Sequence, residues 1–254
     1  YKLKRRGGAE INSSIDLNMQ LKTETLVAEY ARSQKLRNIR NAAVVVIDNK
    51  THRVLSYVGS ASFTDTTDAG QVNGASAVRQ PGSTLKPLLY ALCFDQGLLT
   101  PRQVVTDVPV NYQGYAPENY DRRFHGYVSI EFALEQSLNI PAVNALQQLG
   151  TDRLIDALSR ASFTQIQHDR RKLGLSMILG GCGTTLEELT GLFSCFASDG
   201  KFYNPAFTND QPLQAGRQLI SPAATFMINE ILSKVNRPDF PINWTATERM
   251  PKIA

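Results

Sequence analysis

The chain has 254 residues, enough for one large domain or two small ones. Hydrophobic residues make up 42% and charged residues 20%, so it can bury a core and is not a disordered segment. A net charge of +4, from 27 basic and 23 acidic residues, is too thin to argue for nucleic acid, and no run of about 18 apolar residues reads as a membrane span.

Residues 1–13 read as a linker from an upstream domain, because Lys2, Lys4, Arg5 and Arg6 precede Gly7-Gly8 with no interleaved aromatics. No secretory signal pattern opens the sequence. Asp16 is placed to cap a helix over 17–37, with Leu26, Val27, Tyr30 and Ala31 at the spacing that buries one helical face. The period then changes. Ala42 to Ile47 is a β-branched run, Asp48-Asn49-Lys50 supplies a turn, and Val54 to Val58 reads as a returning strand. The first strand of this hairpin is apolar on both faces, which predicts cover on both sides. Gly59 to Gly74 reads as an exposed loop, whereas Leu88 to Phe94 is apolar all round and predicts a helix within a core.

Turns and aromatics fill 100–128, where Tyr112, Tyr115, Tyr120 and Tyr127 read as packing and loop ballast rather than as a sugar platform. Helices dominate from 129. Ser129 caps 130–136, Pro141 suits a first helical turn, and 151–160 and 185–198 are periodic. The stretch from Pro205 to Pro241 is loop-rich apart from an amphipathic segment at 222–234. A hairpin, a buried helix and then a helical region predict an α+β fold.

Ser83-Thr84-Leu85-Lys86 is the feature with chemical content. Pro81-Gly82 marks a turn and an apolar helix follows, which sets Ser83 at a helix N-terminus with Lys86 three residues on and on the same face. A serine hydroxyl attacks only once a base takes its proton. A lysine can be that base when burial and neighbouring charge bring its pKa down towards neutrality. Helix N-terminal amides disfavour the ammonium and favour an oxyanion at Ser83. An ordinary N-cap beside a solvated lysine has the same four-residue pattern, and Pro87 disfavours helical geometry at Lys86. Ser137-Leu138-Asn139 is the second candidate, lying between a helix ending near 136 and one opening at Pro141. There Ser137 could relay a proton and Asn139 could bond both Lys86 and a substrate amide, or the two could simply cap helices.

Taken together these stretches resemble the transpeptidase domain of penicillin-binding proteins, acyl-serine transferases that cross-link peptidoglycan. Ser14 to Gln20, Arg79-Gln80-Pro81-Gly82, Tyr115 to Asp121, Phe124-His125-Gly126, Leu179-Gly180-Gly181 and Phe196 to Gly200 extend the resemblance over about 14–254. They look most similar to the penicillin-binding protein 1C branch of the bifunctional class. The resemblance implies an antiparallel sheet flanked by helices plus an all-helical subdomain. It also implies Ser83 as the acylated nucleophile and half of the oxyanion hole, Lys86 as its base, Ser137 as relay and Asn139 as a contact to Lys86 and substrate. The implied substrates are stem peptides, with β-lactams acylating the same serine. The implied setting is the periplasmic face of the bacterial inner membrane, with an upstream glycosyltransferase domain and other cell-wall synthesis proteins as partners. A departure stands beside these matches: no Lys-Thr/Ser-Gly triplet occurs, and the chain reaches only Pro251-Lys252-Ile253-Ala254. The expectation is therefore a domain over 14–254 that lacks its C-terminal strands, which a later segment or a second chain would supply. A penicillin-binding sensor or partner-binding pseudo-transpeptidase, a serine β-lactamase and a D,D-carboxypeptidase are the alternatives.

The remaining candidates carry less. His52, His125 and His168 do not lie at ligand spacing, so no metal or cofactor is expected, and only His125 is kept as a possible site-rim residue. Cys93, Cys182 and Cys195 form no CxxC pair, which argues against a disulfide framework and a thiolate zinc site. No GxSxG or GxxxxGK occurs.

Overall fold

The computed structural model describes residues 11–112, 114–212 and 214–234. The basic linker at the start and the tail around Lys252 lie outside the described residues. The described chain falls into two compact units. One comprises residues 11–79, 184–198 and 202–217, and the other 80–183, 199–201 and 218–234. Among the described residues, no helix is long and apolar enough to cross a membrane.

The first unit is built on an antiparallel hairpin, β1 (Val44–Ile47) and β2 (Val54–Val58), with a register irregularity between Val46 and Ile47. The helix α1 (Leu17–Ser33) packs on β2. Asp16 caps α1 as expected, its carboxylate accepting the Met19 N–H at 2.7 Å. The helix ends at Ser33 rather than 37, because the chain tightens into a 3₁₀ turn at Lys35–Arg37 and Asn38 turns left-handed at φ 59°. Its inward stripe is Thr23, Val27 and Ala31, each four residues apart. Leu26 and Tyr30 sit a step around the helix and stay 65% and 53% exposed, against the expectation that they pack. In β2 burial alternates, as one covered face requires, but β1 is half-buried throughout. Among the described residues, β1 therefore lacks the two-sided cover expected of it.

The second strand pair of interest lies in the other unit, where the sequence predicted only turns. There β3 (Val104–Asp107) pairs antiparallel with β4 (Gly126–Ser129). Four-residue strands flanked by Pro, Gly and Tyr leave little period to read. The core of this unit is α2 (Lys86–Asp95), in which Leu88, Leu89, Tyr90, Ala91, Cys93 and Phe94 are buried. α4 (Asn139–Leu149) and α8 (Pro222–Leu232) pack directly on α2, α3 (Ile130–Glu135) packs on both of them, and α5 (Thr151–Arg160) joins α4 to α6 (Thr164–Asp169). The span of α5 is the predicted one, α8 starts at its predicted position, and α6 was not anticipated. In the first unit α7 (Leu186–Ser194) covers β1 and opens with a full capping box between Thr185 and Glu188. This is an α+β chain with antiparallel strands, as expected.

Candidate active site

Ser83 does not begin a helix. It lies in a turn over 82–85 that α2 continues from Lys86 onward. The turn is held by the Lys86 N–H donating to Ser83 O at 3.1 Å and the Thr84 hydroxyl donating to Pro81 O at 2.9 Å. Gly82 supplies its positive φ of 59°. A second glycine matters here. A Cβ on Gly180 would stand 2.9 Å from both N and Cα of Gly82, so the loop at Gly180 meets the turn backbone to backbone. Pro87 causes no conflict, because it occupies the first turn of α2, where its missing N–H has no helical acceptor to lose.

Lys86 is 1% exposed, and the N-terminal end of α2 carries it into the unit. Its Nζ donates to Ser137 O at 2.7 Å, Leu138 O at 3.0 Å and Asn139 Oδ1 at 2.7 Å, with Ser137 Oγ at 3.3 Å. Three carbonyl-type oxygens match the three protons of an ammonium, while burial opposes the charge. Ser83 is half-buried. The amine meets Asn139, one of the two partners the sequence offered it, and the Ser137 and Leu138 carbonyls, which the sequence did not point to.

That segment is shaped by a helix end. Ser137 N donates to Leu134 O at 3.0 Å and Leu138 N to Ala133 O at 2.8 Å, the paired bonds of a Schellman C-cap closing α3. Leu138, Ala133 and Val128 supply its apolar contact. The left-handed residue of that motif is usually glycine, yet here it is Ser137 at φ 55°. The strained backbone is what turns Ser137 O and Leu138 O toward Lys86. Asn139 is the first residue of α4, two positions before the predicted start at Pro141. Its Nδ2 donates to Glu118 O at 2.6 Å, leaving one amide proton without an acceptor among the described residues.

Two residues that sequence reasoning did not single out stand behind this segment. Asn119, 4% exposed, accepts the Asn139 N–H on its Oδ1 at 2.7 Å, and Asp107, wholly buried at the end of β3, takes the Asn119 amide on both oxygens. An acidic residue closing a β-branched run was the available signal. His125, the anticipated rim residue, is exposed and gives its backbone N–H to Asp107 at 2.8 Å. Tyr120 and Tyr127 are 103% and 82% exposed, so of the packing and loop-ballast roles expected of them they do not fill the first. Among the described residues, no group of three His, Cys, Asp or Glu side chains is arranged to hold a metal ion.

The model of the penicillin binding protein transpeptidase domain matches residues 42–247. The chain belongs to the penicillin-binding protein transpeptidase family. It is 33% identical over 229 residues to penicillin-binding protein 1C of Escherichia coli, which covers 90% of this chain and 29% of that protein. Penicillin-binding protein 1F of Bacillus subtilis is 31% identical over 205 residues, 80% of this chain and 28% of its own length. The chain thus spans less than a third of the length of these curated relatives. The crystal structure of penicillin-binding protein 1A from Haemophilus influenzae shares the fold at a TM-score of 0.66 and 22% identity, covering 80% of this chain and 36% of that one. In this transpeptidase domain Lys86, Ser137 and Asn139 are brought together by hydrogen bonds, and Ser83 lies one turn before Lys86.

Proposed function

We propose that this domain is an acyl-serine D,D-transpeptidase acting on peptidoglycan stem peptides, with Ser83 as nucleophile. The observation that supports it is a lysine 1% exposed, one turn after a serine and bonded to the Ser137–Asn139 segment. Ser83 Oγ attacks the carbonyl carbon of the penultimate D-Ala as its proton passes to an uncharged Lys86 amine. The backbone N–H of Ser83 supports the resulting oxyanion. The C–N bond then breaks and the amine of the leaving D-Ala takes the proton, relayed by Lys86 and Ser137 Oγ. An amine of a neighbouring strand attacks the acyl-serine, loses a proton along the same route and restores the Ser83 hydroxyl. The remaining amide proton of Asn139 orients the substrate backbone. For Lys86 to act as base, one of its three carbonyl partners must give way, because a neutral amine has only two protons to donate. In the cell this reading puts the parent protein at the periplasmic face of the inner membrane, with a glycosyltransferase domain and other cell-wall synthesis proteins as partners.

Intact-mass measurement with and without penicillin tests the reading in the full chain. The expected result is a stable adduct on the unchanged protein and none on Ser83→Ala at an unchanged melting temperature. Labelling that survives Ser83→Ala removes Ser83 as nucleophile. A stable adduct without peptide cross-linking points to a penicillin-binding sensor, rapid loss of the adduct to a β-lactamase, and release of D-Ala to water alone to a carboxypeptidase.

A further inference from the structure

We propose that Asp107 is a positioning residue for the acylation site, acting through Asn119 on Asn139. The proposal rests on the reading of Ser83 and Lys86 given above. Asp107 is 0% exposed, and its carboxylate receives the Asn119 amide at 3.0 and 2.8 Å and the His125 backbone N–H at 2.8 Å. A carboxylate only accepts, so the NH₂ of Asn119 must face it. Arg123 O, at 2.8 Å from the same nitrogen, enforces the same orientation. The carbonyl end of Asn119 therefore points at the Asn139 N–H, 2.7 Å away.

That N–H is one of the orphan donors in the first turn of α4, and its N-cap residue Leu138 offers no side-chain acceptor. Asn119 caps the helix in place of Leu138. The neighbouring Glu118 O holds the Asn139 side-chain nitrogen at 2.6 Å, so Asn139 Oδ1 is left facing Lys86 Nζ at 2.7 Å. Asp107 is in this way the fixed end of a chain, Asp107–Asn119–Asn139–Lys86, in which each amide can take only one orientation. A neutral amide at 107 breaks the logic. Its oxygen can serve the His125 N–H, but its NH₂ then stands where Oδ1 now accepts, facing the Asn119 NH₂, and if Asn119 flips to meet it, the Asn119 amide nitrogen opposes the Asn139 N–H.

The test is the rate of Ser83 acylation by a fluorescent penicillin in the full chain, resolved into initial affinity and the acylation step. Asp107→Asn is expected to slow the acylation step roughly tenfold, as for loss of one hydrogen bond to a charged group, with affinity unchanged. Asn119→Ala removes the acceptor from the Asn139 N–H directly and is expected to slow the acylation step by a similar factor, and Asp107→Asn added to it is expected to cost less than about a further threefold, because Asp107 acts through Asn119. A folded Asp107→Asn or Asn119→Ala variant that acylates at the original rate overturns the proposal, as does a further tenfold loss in the double variant. Absence of Ser83 labelling in the unchanged protein overturns the functional reading and this proposal together, whereas the other two failures leave the functional reading intact.

Discussion

The chemistry of the site comes down to how one buried amine divides its protons. Lys86 reaches three carbonyl-type oxygens between 2.7 and 3.0 Å, all supplied by 137–139. Lys86→Ala takes the ammonium donor from those oxygens and removes the proposed base. Acylation is expected to fall by about 10²–10⁴, as for loss of a positioned base, and a stopped-flow penicillin assay showing less than a threefold change would assign proton transfer elsewhere. Ser137 carries a second residue-scale consequence. Its φ of 55° holds a side chain where glycine is at ease. Ser137→Gly is expected to stabilise the fold by about 1 kcal/mol while slowing acylation, since it relaxes the strain and deletes the hydroxyl. Ser137→Ala keeps the strain and slows acylation without that gain. Equal urea midpoints for the two variants would show that the left-handed backbone stores no energy. Both motifs were legible as residue patterns, because SxxK and SxN are local. The left-handed Ser137 was not, because the pattern carries no sign of which helix end it closes.

Elements matter by where their ends point. The apolar α2 was readable from its composition, and so was the span of α5, whose apolar positions keep the helical period. The short pair β3–β4 escaped, although it carries Asp107 and runs into Ser129, the N-cap of α3. Backbone contact between Gly180 and Gly82 likewise joins segments about a hundred residues apart, which no local pattern reports. Gly180→Ala must push a Cβ against Gly82 at a φ of 102°, where L side chains are strained. It is expected to slow Ser83 acylation with the fold retained, read by labelling rate against far-UV circular dichroism, and an unchanged rate would show that the turn tolerates the displacement. At α7, Thr185→Ala removes one half of the capping box and is expected to cost about 1 kcal/mol in urea unfolding. No loss would mean that helix packing on β1 alone sets the end of α7.

At the scale of the whole molecule, burial makes stability depend on alkaline pH. Burial raises the thiols of Cys93 and Cys195 to about 12, and both side chains are 0% exposed. In the unfolded chain such thiols titrate near 8.5, so the unfolded state loses its protons first. Their contribution is complete below that value and disappears as pH rises toward 12, each thiol removing up to about 1.4 kcal/mol per pH unit in between. Urea midpoints are expected to hold from pH 7 to 8 and to fall steadily above 9, and a flat profile to pH 11 would contradict the burial of these groups. The sequence by itself determined the family, the α+β class, the helices with strong period and the residues at which to look, because these properties reside in composition, spacing and short motifs. Tertiary structure alone decided that the Ser137 and Leu138 carbonyls turn onto the lysine, that Tyr120 and Tyr127 face solvent, and that Asp107 and Asn119 stand behind Asn139. Each of these depends on which oxygen, donor or surface a distant segment brings within about 3 Å, and hydrogen-bond partnership at that range follows the folded path of the backbone rather than the order of residues along it.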